Sequence, residues 1–301
     1  MQTDQKIFGV FAAALTPLNV DFSIQIEALP DLLQYLAQRG CHGALLFGTT
    51  GEGPSFSSAE RCHVFQMVPD LRQDFPNLKL LAGTGTPSLD DTVQLTRAAF
   101  DFGLDGVVVL PPYYFRGATE DGLFAWYQHV IQKSVPGDGL LFGYHIPSIS
   151  GVSLSINLLA RLKDAFPKQF GGLKDSSGEL EYSRQLDQRF GEALIVLTGS
   201  DGLFGQALER HASGCITAMA NLYSPLLREV WDHFHSGECY NQAQEKLVAI
   251  RNILSAYAPN ASILKAILPH LHGLPAWPVR PPLVPTKLDL VEKALQELAA
   301  V

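Results

Sequence analysis

The chain has 301 residues, a formal net charge of −8 and no clusters of lysine and arginine. A chain of this length fits either two small domains or one barrel with additions. The acidic balance argues against nucleic acid and against anionic membranes as partners, because both are recognised by a concentrated basic face. A small molecule is therefore the expected partner.

The cysteines are widely spaced, with no Cys-x-x-Cys pair and no histidine at metal-ligand spacing: Cys41, Cys62, Cys215 and Cys239. This pattern predicts reduced, mostly buried thiols and no metal centre. The first eight residues lack the apolar segment of a secretory signal, and no apolar run reaches the ~20 residues of a membrane helix. We therefore expect a cytoplasmic protein.

From Gly9 onward, short apolar runs alternate with longer segments of helical period, which is typical of βα units and a parallel sheet. The predicted strands are 10–15, 43–47, 78–82, 106–110, 140–144, 170–174, 194–197 and 214–218. The predicted helices are 28–38, 58–72, 89–100, 119–133, 155–166, 180–189, 203–210 and 225–235. Eight such units predict a closed (β/α)8 TIM barrel.

After Gly237 the helical period continues, with proline-rich joints between the predicted helices 240–256, 261–271 and 288–298. We therefore expect a catalytic barrel over residues 1–236 and a C-terminal helical region over 237–301 that packs on it. No Gly-x-Gly-x-x-Gly follows the first strand, and Gly83-Thr84-Gly85 after the third does not complete that fingerprint, which disfavours a dinucleotide site.

The active site of such a barrel lies at the C-terminal ends of its strands. Lys174 closes the sixth predicted strand, whereas Lys79 opens the third, so position favours Lys174 as a reactive amine. The alternative is a strand-end lysine that pairs with Asp175 or Glu179.

Hydroxyl groups follow other strands on the same rim. The second strand ends in a glycine-rich turn with Thr49 and Thr50, which suits a carboxylate or phosphate, although a plain structural turn also fits. Tyr114 follows the fourth strand in the segment Pro111-Pro112-Tyr113-Tyr114, and Tyr144 ends the fifth strand. Phenols can relay the protons of Schiff-base chemistry, whereas no acid pair or metal-spaced set supports a glycosidase or metal hydrolase. His145 is expected to point away from the rim, because side chains alternate along a strand.

Four segments carry a resemblance to a known family: Gly48-Thr49-Thr50-Gly51-Glu52, Pro112-Tyr113-Tyr114, Tyr144-His145-Ile146-Pro147 and Gly172-Leu173-Lys174-Asp175-Ser176-Ser177-Gly178. In order and spacing they resemble the dihydrodipicolinate synthase/N-acetylneuraminate lyase family of class I aldolases, over nearly the whole chain. The resemblance implies a lysine that forms an imine with pyruvate or another 2-oxo acid, without a metal or organic cofactor.

The resemblance also implies roles for single residues. Lys174 would be the Schiff-base residue, with Tyr144 as the proton-transferring phenol beside it. Thr49 and Tyr114 would complete the proton relay, and Tyr114 would reach a neighbouring subunit's site in a homotetramer or dimer. The substrate would be held by Thr50 at the 2-oxo carboxylate, by the Ile216 backbone carbonyl near the imine, and by Gly199 and Asp201 at the distal half.

One departure concerns the aldehyde. Dihydrodipicolinate synthases typically place an arginine where this chain has Ile149, and an apolar side chain cannot make that bidentate contact with a carboxylate. Arg116 is the nearest substitute in sequence. Neuraminate lyases tend to carry an Asp-Glu pair where this chain has Asp201-Gly202, so sialic acid is poorly supported. We therefore expect a Schiff-base aldolase or lyase that cleaves or forms a 2-oxo-3-deoxy or 4-hydroxy-2-oxo acid, with pyruvate as the three-carbon partner.

Two alternatives stay open. One is 4-hydroxy-tetrahydrodipicolinate synthase, which condenses pyruvate with aspartate semialdehyde, or a related dehydratase. The other is a catalytically silent barrel that binds a 2-oxo acid. A binding protein has no need of an amine beside a phenol relay, which argues against the second.

Overall fold

A computed structural model describes residues 7–301. Within this part, eight parallel strands close into a barrel in sequential order, which confirms the predicted (β/α)8 fold. The strands β1 to β8 are Gly9–Ala13, Gly43–Leu46, Lys79–Gly83, Gly106–Val109, Leu141–His145, Phe170–Asp175, Ile195–Thr198 and Gly214–Thr217. Each begins and ends within two residues of its prediction.

Helices surround the barrel and continue beyond it. Within residues 7–301, α1 to α13 are Leu29–Gln38, Ser58–Phe65, Val68–Asp74, Leu89–Asp101, Glu120–Ser134, Pro147–Ser150, Ile156–Ala165, Leu180–Phe190, Phe204–Leu208, Ala220–Ser236, Asn241–Ser255, Asn260–His272 and Leu288–Leu298. None of these helices has the length and apolar character of a membrane span. Ser57 and Glu60 form a capping box at the start of α2.

Two helix predictions were wrong in extent. The single helix predicted over 58–72 is divided into α2 and α3, because Pro69 lacks the N–H that would continue the hydrogen-bond ladder of the first helix. The helix predicted at 225–235 begins earlier, at Ala220, and is bent at Tyr223. Pro225 has no N–H to donate to the Asn221 oxygen, and its ring crowds that carbonyl, so the helix bends in the turn before the proline. The short helix α6 was not predicted.

The core has two layers. One layer of apolar side chains lies between the strands and the surrounding helices. The other fills the barrel interior, where bulky side chains from successive strands stack as the fold requires: Phe11, Leu45, Leu81, Val108, Phe142, Leu197 and Ile216. Tyr144 belongs to this interior cluster, so the interior leads directly to the rim at the C-terminal ends of the strands.

The C-terminal helices contact the loops of that rim. The Gln244 side chain of α11 donates to the backbone oxygen of Asp201 (3.0 Å) and accepts from the backbone N–H of Gly205 (2.8 Å), both beyond β7. In α12, Lys265 forms a buried ion pair with Glu52 beyond β2. Residues distant in sequence are therefore brought to the catalytic face.

Candidate active site

Lys174 and Tyr144 are neighbours because of strand pairing. The parallel register of β5 and β6 places Tyr144 opposite Lys174, so both side chains point into the barrel. The Lys174 Nζ lies 4.3 Å from the centroid of the Tyr144 ring, and Lys174 is 2% exposed. Asp175 points the other way, and its Oδ1 accepts the backbone N–H of Ser177 (3.0 Å). The arrangement is a buried amine against a phenol.

The Tyr144 phenol is held by polar neighbours. Its oxygen lies 3.2 Å from the Thr49 Oγ1. Burial raises the pKa of the phenol, but the charge of Lys174 and side-chain hydrogen bonds with Thr49, Lys174 and Ser176 outweigh burial, so the pKa lies below its ordinary value. A phenol with a lowered pKa exchanges its proton more readily near neutral pH, which suits a general acid and base.

The turn after β2 sets the position of Thr49. Glu52 has a left-handed backbone (φ 57°), and its backbone N–H donates to the backbone oxygen of Thr49 (3.1 Å). The Thr16 hydroxyl donates to the Gly51 oxygen (2.7 Å). A Cβ on Gly53 would lie 2.0 Å from the Phe47 oxygen, so glycine is required for this close approach. The tightness of the turn fixes the threonine hydroxyls at the rim.

A cavity of about 320 Å³ opens at this rim. Gly199 lets two loops meet there, since a Cβ on it would lie 2.0 Å from the Ser176 Oγ. The cavity is lined by seven of the nine site residues predicted from the sequence: Thr49, Thr50, Tyr144, Ile149, Lys174, Gly199 and Ile216.

The other two predicted site residues do not line it. Tyr114 is 77% exposed on the loop after β4, next to the similarly exposed Phe115. Asp201 is fully buried behind Arg251, whose Nη1 donates to the Asp201 Oδ2 (2.6 Å). Burial raises the pKa of Asp201, although Arg251 opposes the rise. Asp201 therefore does not line the cavity itself but forms an ion pair with Arg251, which does.

His145 lies away from the cavity, as side-chain alternation predicts. Its Nδ1 accepts the backbone N–H of Leu154 (3.1 Å), and its ring stacks on Tyr182 with centroids 4.2 Å apart. Burial lowers the pKa of His145 to about 4. Arg116 is also absent from the cavity wall within residues 7–301, and it packs over Gly151.

Sequence reasoning missed several residues of the cavity wall. Ser176 could have been found, because it follows Lys174 within a motif that was singled out. Arg251 and Asn260 could not, because they belong to α11 and α12 and carry no local signal. Tertiary packing alone brings these two side chains to the site.

The chain is similar to known proteins over nearly its whole length. Residues 6–300 match the model of the Dihydrodipicolinate synthetase family. An uncharacterized DapA-like lyase of Chloroflexus aurantiacus is 39% identical over 279 residues, which are 92% of this chain and 91% of that protein. A 4-hydroxy-tetrahydrodipicolinate synthase of Corynebacterium urealyticum is 30% identical, over 96% of this chain and 95% of its own.

Solved structures are similar to this chain as well. The N-acetylneuraminate lyase of Proteus mirabilis is 26% identical with a TM-score of 0.87, and the match covers 98% of each chain. Dihydrodipicolinate synthase from Agrobacterium tumefaciens is 28% identical with a TM-score of 0.87, over 98% of this chain and 99% of that one.

Proposed function

We propose, for a chain that belongs to the dihydrodipicolinate synthetase family, that Lys174 is the residue that forms an imine with a 2-oxo acid. The protein is a lyase of the class I, pyruvate-dependent aldolase type. One observation above all supports the choice of residue: strand register sets the Lys174 amine 4.3 Å from the centre of the Tyr144 ring, in a cavity. An amine nucleophile and a proton-transferring phenol are the groups that imine chemistry needs.

Imine formation begins when the neutral amine of Lys174 attacks C2 of the 2-oxo acid. The carbonyl oxygen takes up a proton from Tyr144, and after a second proton transfer it leaves as water. Thr50 and the backbone N–H groups of its turn hold the 2-oxo carboxylate. The Ile216 backbone carbonyl lies near the new imine, and Thr49 orients the phenol through their hydrogen bond.

Cleavage of a 4-hydroxy-2-oxo acid then uses the imine as the electron sink. The Tyr144 phenolate accepts the proton of the C4 hydroxyl, and the C3–C4 bond breaks. Its electron pair moves into the protonated imine, which gives an enamine and a free aldehyde. The phenol returns the proton to C3, and water hydrolyses the imine to release pyruvate and the Lys174 amine. The reverse sequence is an aldol condensation.

The proposed substrates are 2-oxo-3-deoxy and 4-hydroxy-2-oxo acids, with pyruvate as the three-carbon partner. The second candidate activity is that of a 4-hydroxy-tetrahydrodipicolinate synthase, which the 30% identical Corynebacterium protein favours. At Ile149 the chain lacks the arginine that such synthases typically use to bind the aldehyde's carboxylate. The isoleucine side chain lines the cavity and is 58% exposed, and it cannot bind the carboxylate of aspartate semialdehyde.

We propose a homotetramer or dimer in which Tyr114 reaches a neighbour's cavity. Tyr114 and Phe115 are large and exposed, which is typical of a surface that another subunit covers. A cytoplasmic location fits the four free cysteines. No metal or organic cofactor is required, because the covalent imine supplies the electron sink, so activity should survive EDTA.

The test is pyruvate release from a panel of 2-oxo-3-deoxy and 4-hydroxy-2-oxo acids. Lys174→Met keeps the side chain's bulk and removes the amine, so it should abolish release from every substrate. Lys79→Met is the matched control, because Lys79 pairs with Asp105 at the start of β3, on the opposite face of the barrel. Activity that persists in a folded Lys174→Met protein would overturn the proposal.

A further inference from the structure

A second cation lies at the active-site cavity, outside the motifs that the sequence displays. Arg251, near the end of α11, lines the cavity with Lys174, and the other residues that the structure places in its wall are uncharged. A cavity with two cationic groups and no acidic one favours anionic ligands. We propose that Arg251 binds a carboxylate at the distal end of the substrate. The substrate class is then the 2-oxo acids with a second, terminal carboxylate, an inference that rests on the imine mechanism proposed above.

The guanidinium of Arg251 is held in place from behind. Its Nη1 donates to the Oδ2 of the fully buried Asp201 (2.6 Å), and its Nε donates to the Ser255 Oγ (3.1 Å). Gln244, on the same helix, donates to the backbone oxygen of Asp201 (3.0 Å). These contacts fix both the helix and the guanidinium against the loop after β7. Asp201 is therefore a positioning residue for Arg251.

The outer edge of the guanidinium is available to a ligand. An arginine carries five N–H donors, and the bonds to Asp201 and Ser255 use two of them. Within residues 7–301, no acceptor is bonded to the Nη2 of Arg251, and the side chain is 36% exposed. The planar fork of N–H groups matches the two oxygens of a carboxylate. Asn260 adds an amide donor in the same wall.

The buried Asp201 weakens the attraction of Arg251 for any anion, and this affects the choice between anions. A ligand in the cavity lies nearer to Arg251 than to Asp201, so attraction exceeds repulsion, but Asp201 offsets part of the attraction. The remaining attraction grows in proportion to the charge of the ligand, whereas the cost of removing that charge from water grows with its square. A phosphate ester carries nearly two negative charges and a carboxylate carries one. The site therefore favours a terminal carboxylate over a phosphate.

The experiment compares three substrates that differ only at the end distal to the 2-oxo group: a 2-oxo-3-deoxyhexarate with a carboxylate, the matching hexonate with a hydroxymethyl group, and its terminal phosphate ester. We expect the wild type to prefer the hexarate over the hexonate by roughly 10- to 150-fold in kcat/KM, the effect of a charge-assisted hydrogen bond. Arg251→Met should bring that ratio close to one. Arg251→Lys keeps the positive charge but loses the planar pair of N–H donors, so it should retain part of the preference for the hexarate.

Arg116→Met is the matched control, because this arginine lies by the rim without lining the cavity, and it should leave the ratio unchanged. Equal use of hexarate and hexonate by the wild type, or a ratio that Arg251→Met does not lower, would overturn the inference. A preference for the phosphate ester would overturn the choice of carboxylate. Borohydride trapping of pyruvate on Lys174 distinguishes failure of the imine mechanism from failure of the substrate class. If pyruvate is not trapped on Lys174, the imine mechanism is wrong. If pyruvate is trapped but the substrate ratios do not behave as expected, only the proposed substrate class is wrong.

Discussion

Breaking the buried ion pair of Glu52 and Lys265 should destabilise the protein and disturb the turn that carries Thr49. The Lys265 Nζ lies 2.5 Å from the Glu52 Oε1, and the two side chains are 1% and 0% exposed. Nζ also donates to the Pro278 oxygen (2.8 Å), and the Glu52 Oε2 accepts the backbone N–H of Arg280 (2.7 Å). One carboxylate thus joins the β2 loop to the C-terminal helical region.

Removing one partner leaves the other charge buried. Lys265→Met leaves the Glu52 carboxylate buried without its cationic partner and should lower the free energy of unfolding by about 3–5 kcal/mol. Glu52→Gln leaves the Lys265 ammonium buried without its anionic partner, and the loss of unfolding free energy should lie toward the lower end of that range. Burial already lowers the pKa of Lys265 against the opposing effect of Glu52, so the amine can shed its proton. In the double variant neither charge is buried, and the Gln oxygen can still accept from Arg280. The double variant should therefore lose less than Lys265→Met alone.

The assay is equilibrium unfolding in urea at one fixed protein concentration, since an oligomer's stability depends on concentration. Lys293→Met is the matched control, because it removes an exposed partner 3.8 Å from Glu297 and should cost less than about 1 kcal/mol. The KM for pyruvate should rise in Lys265→Met. The backbone N–H of Glu52 donates to the backbone oxygen of Thr49, so a displaced Glu52 would also displace the turn that carries Thr49 and Thr50. A Lys265→Met cost no larger than that of the control, or a double variant that loses the sum of the single losses, would refute this reasoning.

Three further predictions concern the site and its surroundings. Tyr144→Phe keeps the ring and removes the transferable proton, so turnover should fall roughly 10²- to 10⁴-fold, and unchanged turnover would place the relay elsewhere. Ile149→Arg should raise kcat/KM for condensation of aspartate semialdehyde with pyruvate by roughly 10- to 150-fold, and no gain would contradict the role given to this position. His145 has a pKa of about 4 in the fold against 6.5 ordinarily, so the unfolded chain binds its proton first, and stability should fall as pH drops from 6.5 toward 4. Urea unfolding measured between pH 6.5 and 4 should show a smaller loss of unfolding free energy for His145→Asn than for the wild type. Identical losses in the two proteins would contradict the lowered pKa of His145.

The barrel and the inner half of the site could be predicted because both depend on local patterns. Each strand is a short apolar run, and a polar residue that closes such a run must lie on the catalytic rim. Lys174 and Tyr144 both meet that condition, and the register of β5 and β6 then places them together. His145 could be set apart by alternation alone, because one residue along a strand reverses the direction of the side chain.

The distal half of the site could not be predicted, because it depends on how helices pack. Arg251 belongs to an amphipathic helix, where an arginine is ordinarily solvated, and only the contacts of α11 with the loop after β7 bring it to the cavity. Asp201 was placed beside the substrate by resemblance, and the fold buries it behind Arg251. The division of the helix predicted at 58–72 has a local cause in the sequence, because Pro69 cannot donate the hydrogen bond that would continue the first helix.

The covalent chemistry of Lys174 can be tested by incubating the protein with pyruvate and sodium borohydride, followed by peptide mass spectrometry. Borohydride reduces an imine to a stable amine, so the lysine that forms the imine is marked permanently. The buried amine beside Tyr144 predicts a reduced pyruvate adduct on the peptide that contains Lys174, and no adduct in Lys174→Met. An adduct on another lysine, or none under conditions in which the enzyme turns over, would contradict it.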